Sequence, residues 1–285
     1  MAERSASSTA VGVAMLRAAH QLLDGMPRVL DDPIVLALLG SDAAGRIREQ
    51  AAAYREPWSM ALRTHVLLRS RFTEERLAAA VERGVTQFVV LGAGLDTFAY
   101  RQPPWAHSLR ILEVDHPASQ QSKRKRLEAA QIAVPANVTF APVDFEHDTL
   151  EHGLARAGFD PKAMTFVSCL GVLVYLTGEA IAALFAFIAT LPGGSECAFT
   201  YGGSTTGEPG RQSLAATVAA LGEPWQSSLE TEDVRDILAR SGLPAPVLPA
   251  AEAIARYLGD RHDGLQPPKR DRIASVVIAA SAASP

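Results

Sequence analysis

The chain has 285 residues, 48% of them hydrophobic, enough to bury one large core or one core with an appended element. Its 27 Lys and Arg against 31 Asp and Glu give a formal net charge of -4 with no basic stripe, which argues against nucleic acid as a partner. No apolar run reaches the ~20 residues of a bilayer span, and the start Met1-Ala2-Glu3-Arg4-Ser5 lacks the apolar core of a secretory leader, so no membrane partner and a cytoplasmic location are expected.

Residues 10–83 read as helical. Val11, Met15, Leu16, Leu22 and Leu23 recur at helical spacing, Ile34, Leu36 and Leu39 follow before Gly40, and a further helix runs from about Met60 to Val81. From Gly84 the pattern changes to short β-branched and aromatic runs alternating with helical stretches. Strands are expected near 87–91, 110–114, 138–143, 165–169, 196–201, 246–248 and 273–280, with helices between them, notably over 178–191 and 231–241. The expected fold is α/β, a mainly parallel seven-stranded sheet covered by helices on both faces. The expected division is a helical cap over 1–83 and a core over 84–285. A segment near 202–230, rich in Gly, Ser and Thr, reads as a lid with a short helix at 211–221. The basic run Lys123-Arg124-Lys125-Arg126 reads as a solvated helix face. Cys169 and Cys197, set in apolar stretches, read as buried reduced thiols. The seven scattered histidines give no metal-ligand spacing, so no metal is expected.

Ligands of open parallel sheets bind beyond the carboxyl ends of the strands, so candidate residues should end strands. Three groups do. In Val89-Val90-Leu91-Gly92-Ala93-Gly94, Gly92 and Gly94 lack the Cβ atoms that would keep a ligand from the backbone. A dinucleotide fingerprint would need a third small residue where Thr97 stands, and Asp96 would set negative charge beside a pyrophosphate. That acid favours a cationic ligand such as S-adenosylmethionine, or else it caps the following helix. Asp115, in Leu112-Glu113-Val114-Asp115, is placed to accept two ribose hydroxyl hydrogen bonds; Glu113 shares its face but lies further from the edge. Asp144 and Phe145 end the third strand, where they offer an acceptor for an adenine amino group and an aromatic edge for its ring.

In this order the three resemble the leucine carboxyl methyltransferase family, including its bacterial members that act on small molecules. The resemblance covers nearly the whole chain. It is carried by Leu91-Gly92-Ala93-Gly94-Leu95-Asp96-Thr97-Phe98-Ala99-Tyr100-Arg101, Glu113-Val114-Asp115-His116-Pro117, Val172-Leu173-Val174-Tyr175-Leu176-Thr177, Gly222-Glu223-Pro224-Trp225 and Arg256-Tyr257-Leu258. It implies a Rossmann-like class I methyltransferase fold with a helical N-terminal extension over the cofactor, and S-adenosylmethionine as methyl donor. It further implies that Gly92 approaches the cofactor, Asp115 holds the ribose, Asp144 and Phe145 bracket the adenine, and an Arg from the helix before the first strand holds the methionine carboxylate. Arg69 fits that last role, with Arg71 the alternative. Leu170 stands where many relatives carry a cofactor-contacting Glu.

Methyl transfer from a sulfonium is an in-line displacement that rests on holding the acceptor about 3 Å from the methyl carbon. A carboxylate acceptor is ionised at neutral pH, whereas a phenol or alcohol needs a base; His65, Tyr175, Tyr201 and His262 are the groups in question. The reading is an O-methyltransferase acting on a small-molecule metabolite, with homodimerisation left open. A nicotinamide-dependent oxidoreductase, disfavoured by Asp96 and Thr97, and a non-catalytic S-adenosylmethionine-binding module are the competing readings.

Overall fold

All five residues of β1 (Gln87–Leu91) are buried, with Phe88 and Val90 on one face and Val89 and Leu91 on the other. A strand apolar on both faces needs cover on both. The computed structural model describes residues 7–144, 147–202, 209–266 and 272–279. In it β1 pairs in parallel with β2 (Arg110–Asp115) and β4 (Thr165–Cys169). β3 (Val138–Pro142) lies beyond β2 and β5 (Glu196–Thr200) beyond β4, both parallel, while β6 (Ile273–Val277) runs antiparallel to β5. The order is β3-β2-β1-β4-β5-β6.

The sheet has six strands among the described residues rather than the seven expected. The stretch at 246–248 makes only an antiparallel bridge, Val247 to Ser275. Pro244, Pro246 and Pro249 remove the backbone donors that a ladder there would need.

Five helices precede the sheet: α1 (Ser8–Leu23), α2 (Val35–Leu39), α3 (Ala43–Glu49), α4 (Ala51–Tyr54) and α5 (Pro57–Glu82). α6 (Pro117–Ala129), α7 (Leu150–Arg156), α8 (Gly178–Ala189), α9 (Pro209–Ala220), α10 (Thr231–Arg240) and α11 (Ala251–Leu258) follow in turn. The face bearing Val89 and Leu91 is covered by α7, α8 and α10 through Leu154, Ile181, Phe185 and Leu238. The opposite face is covered by the C-terminal half of α5, where Leu77 and Ala80 pack with Phe88, Phe166 and Ala198. Helices α1 to α3 form a separate core that reaches Leu95 and Leu127. The two cysteines are free and buried, and burial pushes the Cys169 thiol up to about 12.

Buried ion pairs fix the helices to this frame. Glu196, wholly buried on β5, accepts from Arg76 Nε at 2.5 Å and from Arg83 Nη2 at 2.7 Å, which anchors the distal half of α5. Asp24 takes both Arg63 Nε and Nη2 at 2.8 Å and His20 Nδ1 at 2.8 Å; Val29 N–H donates to His20 Nε2 at 3.1 Å, so the ring proton sits on Nδ1. In the basic run on α6, Arg124 and Lys125 are exposed as expected, but Lys123 departs from the solvated role. Lys123 is buried and donates to Glu113 Oε1 at 2.8 Å, and Arg124 lies over the Phe140 ring at 4.1 Å.

A staple joins the loop after α1 to the segment before β6: Gly25 N–H donates to Asp263 at 2.8 Å, and Arg261 binds both Asp263 and the Gly25 carbonyl, the latter at 2.9 Å. Partial burial opposes ionisation of Asp263, but Arg261 and the Gly25 N–H outweigh it and hold the carboxyl down to about 2. Its folded pKa lies below its unfolded value, so its contribution is complete above about pH 4 and is lost as the pH falls through about 2. Asp263→Asn should therefore cost roughly 1–2 kcal/mol at neutral pH. In acid denaturation series the two proteins should converge near pH 2; a gap that persists there refutes the assignment.

Candidate active site

Strand order reverses between β1 and β4, which opens a crevice at their carboxyl ends. Register decides what stands there. Leu91 is level with Val114 and with Cys169, so the next residues, Gly92, Asp115 and Leu170, lie side by side. Asp115 is level with Pro142, and Asp144 follows two residues later on the neighbouring strand end.

Gly92 and Gly94 have φ of 61° and 43°, the left-handed region that favours glycine. A Cβ on Gly92 would stand 2.5 Å from Val172 Cγ2, and one on Gly94 would stand 3.1 Å from Ala10 Cβ. The Gly94 N–H donates to Asp115 Oδ2 at 2.5 Å and the His116 N–H to Oδ1 at 2.7 Å. Burial raises the Asp115 pKa, against these two hydrogen bonds. Each of its oxygens retains accepting capacity for a ligand hydroxyl.

Behind the turn lies a buried polar network that sequence reading did not find. Arg17 donates to the Leu95 carbonyl at 2.5 Å and to Asp32 Oδ2 at 3.0 Å. The Thr97 hydroxyl donates to the same Asp32 oxygen at 2.8 Å, and Arg101, paired with Glu74, donates to Thr97 Oγ1 at 3.2 Å. Thr97 thus anchors the turn from behind. Asp96 Oδ1 accepts the Phe98 N–H at 2.9 Å and so caps the short turn Phe98–Tyr100.

Arg69, on α5, packs against Gly171 at the end of β4 and feels the charge of Asp96. Its Nε is buried with no hydrogen-bond partner among the described residues. Burial, with Arg17 adding, pushes its guanidinium down to about 10 against the opposing fields of Asp96 and Tyr175. A Cβ on Gly171 would stand 2.8 Å from Arg69 Nη1, so that glycine makes room for it. Arg71, two residues on, points elsewhere: its guanidinium lies 5.7 Å from the centroid of the Tyr257 ring. His65 sits one turn before Arg69 on the same helix face.

Asp144 is half-buried, its Oδ2 3.9 Å from His116 Nε2. His116 Nδ1 accepts the Ala118 N–H at 3.2 Å, which leaves the ring proton on Nε2, toward Asp144. Phe145 lies outside the described residues. Tyr175 ends the short turn Leu173–Tyr175, which is held from above by Gln226 N–H to the Val174 carbonyl at 2.7 Å and by Ser227 Oγ to the Leu173 carbonyl at 2.7 Å. Tyr201 is buried, its hydroxyl sharing a 3.1 Å hydrogen bond with Thr231. His262 is exposed.

No group of His, Cys, Asp and Glu able to hold a metal ion, and no helix long and apolar enough to cross a membrane, occurs among the described residues.

Comparison with known proteins agrees with this geometry. The leucine carboxyl methyltransferase model matches residues 10–189. A Bacillus subtilis protein named as a candidate S-adenosyl-L-methionine-dependent methyltransferase is 37% identical over 183 residues, 62% of this chain and 60% of that one, so the match spans under two thirds of that relative. A Mycobacterium marinum protein named in the same terms is 30% identical over 275 residues, 88% and 86% of the two chains. The fold is shared with a structure from Thermobifida fusca named as a candidate methyltransferase (TM-score 0.57, 19% identity, 92% and 98% covered) and with a DUF574 family protein from Streptomyces avermitilis (TM-score 0.55, 18% identity, 96% and 98% covered).

Fold and relatives together define a class I methyltransferase enzyme whose cofactor is S-adenosylmethionine. The chain belongs to the leucine carboxyl methyltransferase family. Nothing in these comparisons supports a nicotinamide-dependent oxidoreductase.

Proposed function

We propose that this enzyme methylates an oxygen, a carboxylate in the first instance, of a small-molecule metabolite. The observation that carries the cofactor half is Arg69, a guanidinium with a buried Nε unpartnered among the described residues, packed against Gly171 beyond the end of β4. It suits a carboxylate, which it can grip with two parallel hydrogen bonds. In this reading the left-handed backbone at Gly92 and Gly94 shapes the loop that carries the cofactor, and Asp115 receives the ribose hydroxyls. Asp144 faces the adenine. Leu170 gives an apolar wall where relatives carry an acid, and Asp96 supplies the negative charge for the methionine ammonium. Helices α1 to α5 act as a cap over the sheet, with residues 212–230 closing the acceptor side.

Bound S-adenosylmethionine supplies an electrophilic methyl on a sulfonium. The residues of the chain position the acceptor and exclude water. The family's name specifies a carboxyl acceptor, and such an acceptor needs no general base at neutral pH. In this reading Tyr175 and His65 orient it, and Tyr201, tied to Thr231, forms part of the wall. The roofing of the turn by α1 supports a small acceptor over a folded protein.

The test is incubation with methyl-labelled S-adenosylmethionine and a panel of carboxylic acids and phenols. Methyl esters release volatile label in mild alkali and aryl ethers do not. Turnover confined to phenols would overturn the carboxylate reading. Asp115→Asn, which replaces one of two oxygens, each accepting a backbone N–H, with an NH2 group that cannot accept, should weaken cofactor binding by roughly 10- to 100-fold. Calorimetry giving unchanged affinity would remove Asp115 from the ribose site.

A further inference from the structure

Helix α9 ends in a Schellman turn: Gly222, with φ of 80°, donates its N–H to the Ala219 carbonyl at 3.0 Å, and Glu223 donates its own to the Val218 carbonyl at 2.9 Å. Pro224 then forbids further helix. This geometry fixes where Glu223 points, and it points at the start of α1. Its carboxylate accepts from the Ser8 N–H at 2.8 Å, from the Ser7 hydroxyl at 3.0 Å and from the Thr9 hydroxyl. The Ser7 oxygen meanwhile accepts the Ala10 N–H at 3.1 Å. A carboxylate more than two hundred residues away thus joins the local cap in satisfying the open donors of α1, where the helix dipole also favours negative charge.

The turn capped in this way is the one that covers the cofactor loop, since Ala10 Cβ lies 3.1 Å from where a Gly94 Cβ would stand. The same post-α9 segment also holds the Tyr175 turn through Gln226 and Ser227. One stretch of chain therefore grips both the roof over Gly94 and the acceptor-side turn.

Taking the cofactor site as placed above, we propose that Glu223 is the latch of that site. Its hydrogen bonds to Ser7, Ser8 and Thr9 hold the first turn of α1 shut over the glycine turn, and the cofactor enters and leaves only when this contact opens. Pro224 and the Schellman turn make the contact a hinged one, because the backbone on either side of Glu223 is fixed while its side chain alone spans the gap.

The test uses the full-length protein, S-adenosylhomocysteine as probe, and stopped-flow measurement of association and dissociation. Glu223→Ala, and Thr9→Val from the opposite side, should each speed both rates, with dissociation faster by roughly tenfold or more for Glu223→Ala. Combined, the two should act less than additively, as expected for partners in one contact. The thermal midpoint of the ligand-free variants reads out folding separately, because a loss of folded protein lowers the active fraction without changing the rate constants of what remains. Rate constants within twofold of the unaltered protein, or dissociation speeded with association unchanged, would overturn the latch. Absence of S-adenosylhomocysteine binding by the unaltered protein would overturn the cofactor site and the latch together.

Discussion

Arg69→Ala is expected to weaken S-adenosylhomocysteine binding by roughly 100-fold or more, while the ligand-free protein melts no lower than before. The two halves of this result come from one fact. Without ligand, the Arg69 Nε is buried with nothing to bond, and burial holds the group down to about 10. Its charge therefore destabilises the empty fold. The folded pKa lies below the unfolded one, so this cost is present in full at neutral pH and is relieved only as the pH rises from about 10 toward the unfolded value. Removing the side chain removes the cost, and with it the partner proposed above for the methionine carboxylate. Lysine at this position keeps charge but loses the planar fork, and should recover only part of the affinity. Calorimetry and thermal melting on the two variants check the prediction. Full affinity in Arg69→Ala would return the carboxylate to another group, while a large drop in ligand-free stability would make Arg69 a structural residue.

The largest expected loss of stability follows from Glu113→Gln. Glu113 and Lys123 are both buried, 2.8 Å apart, and the Tyr100 hydroxyl donates to the other Glu113 oxygen at 2.9 Å. Neutralising one partner strands an ammonium that has no route to water, at a cost of about 3–5 kcal/mol. Replacing both, as Glu113→Leu with Lys123→Met, removes both desolvation costs and should recover most of that loss. Urea titration of the single and double variants decides the matter; a single variant within 1 kcal/mol of the unaltered protein would show the pair to be dispensable. Asp115 lies two residues further along β2, so a loosened Glu113 should also weaken cofactor binding.

The sheet was legible because buried parallel strands write themselves as short apolar runs, and β1, β2 and β4 fall where the sequence places them to within a residue. The stretch at 246–248 has the same apolar look, but three prolines deny it a ladder, a signal the sequence carried and apolarity masked. The alignment of Gly92, Asp115 and Asp144 at successive strand ends could be read because each follows a strand in register. The preference for Arg69 over Arg71 came from the resemblance and not from a helical pattern, since α5 packs on more than one side and buries Arg63, Thr64 and Ser70 as well as Leu67 and Leu68. With no clean polar face, its rotational setting is fixed only by its neighbours. The Arg17, Asp32 and Thr97 network joins residues far apart in sequence and leaves no local pattern. Lys123 sits in a run of four basic residues that looks solvated throughout, and only the tertiary position of Glu113 singles it out.

The contact between Gly92 and Val172 bears on how members of such a fold acquire new substrates. With 2.5 Å between a notional Cβ and the Val172 methyl, the donor loop and the loop beside Tyr175 share one packing surface. A residue at 172 chosen to suit a different acceptor changes the footing of the donor loop in the same step. Divergence in substrate preference therefore has its freer ground at positions remote from this seam, where variation leaves the shared machinery intact.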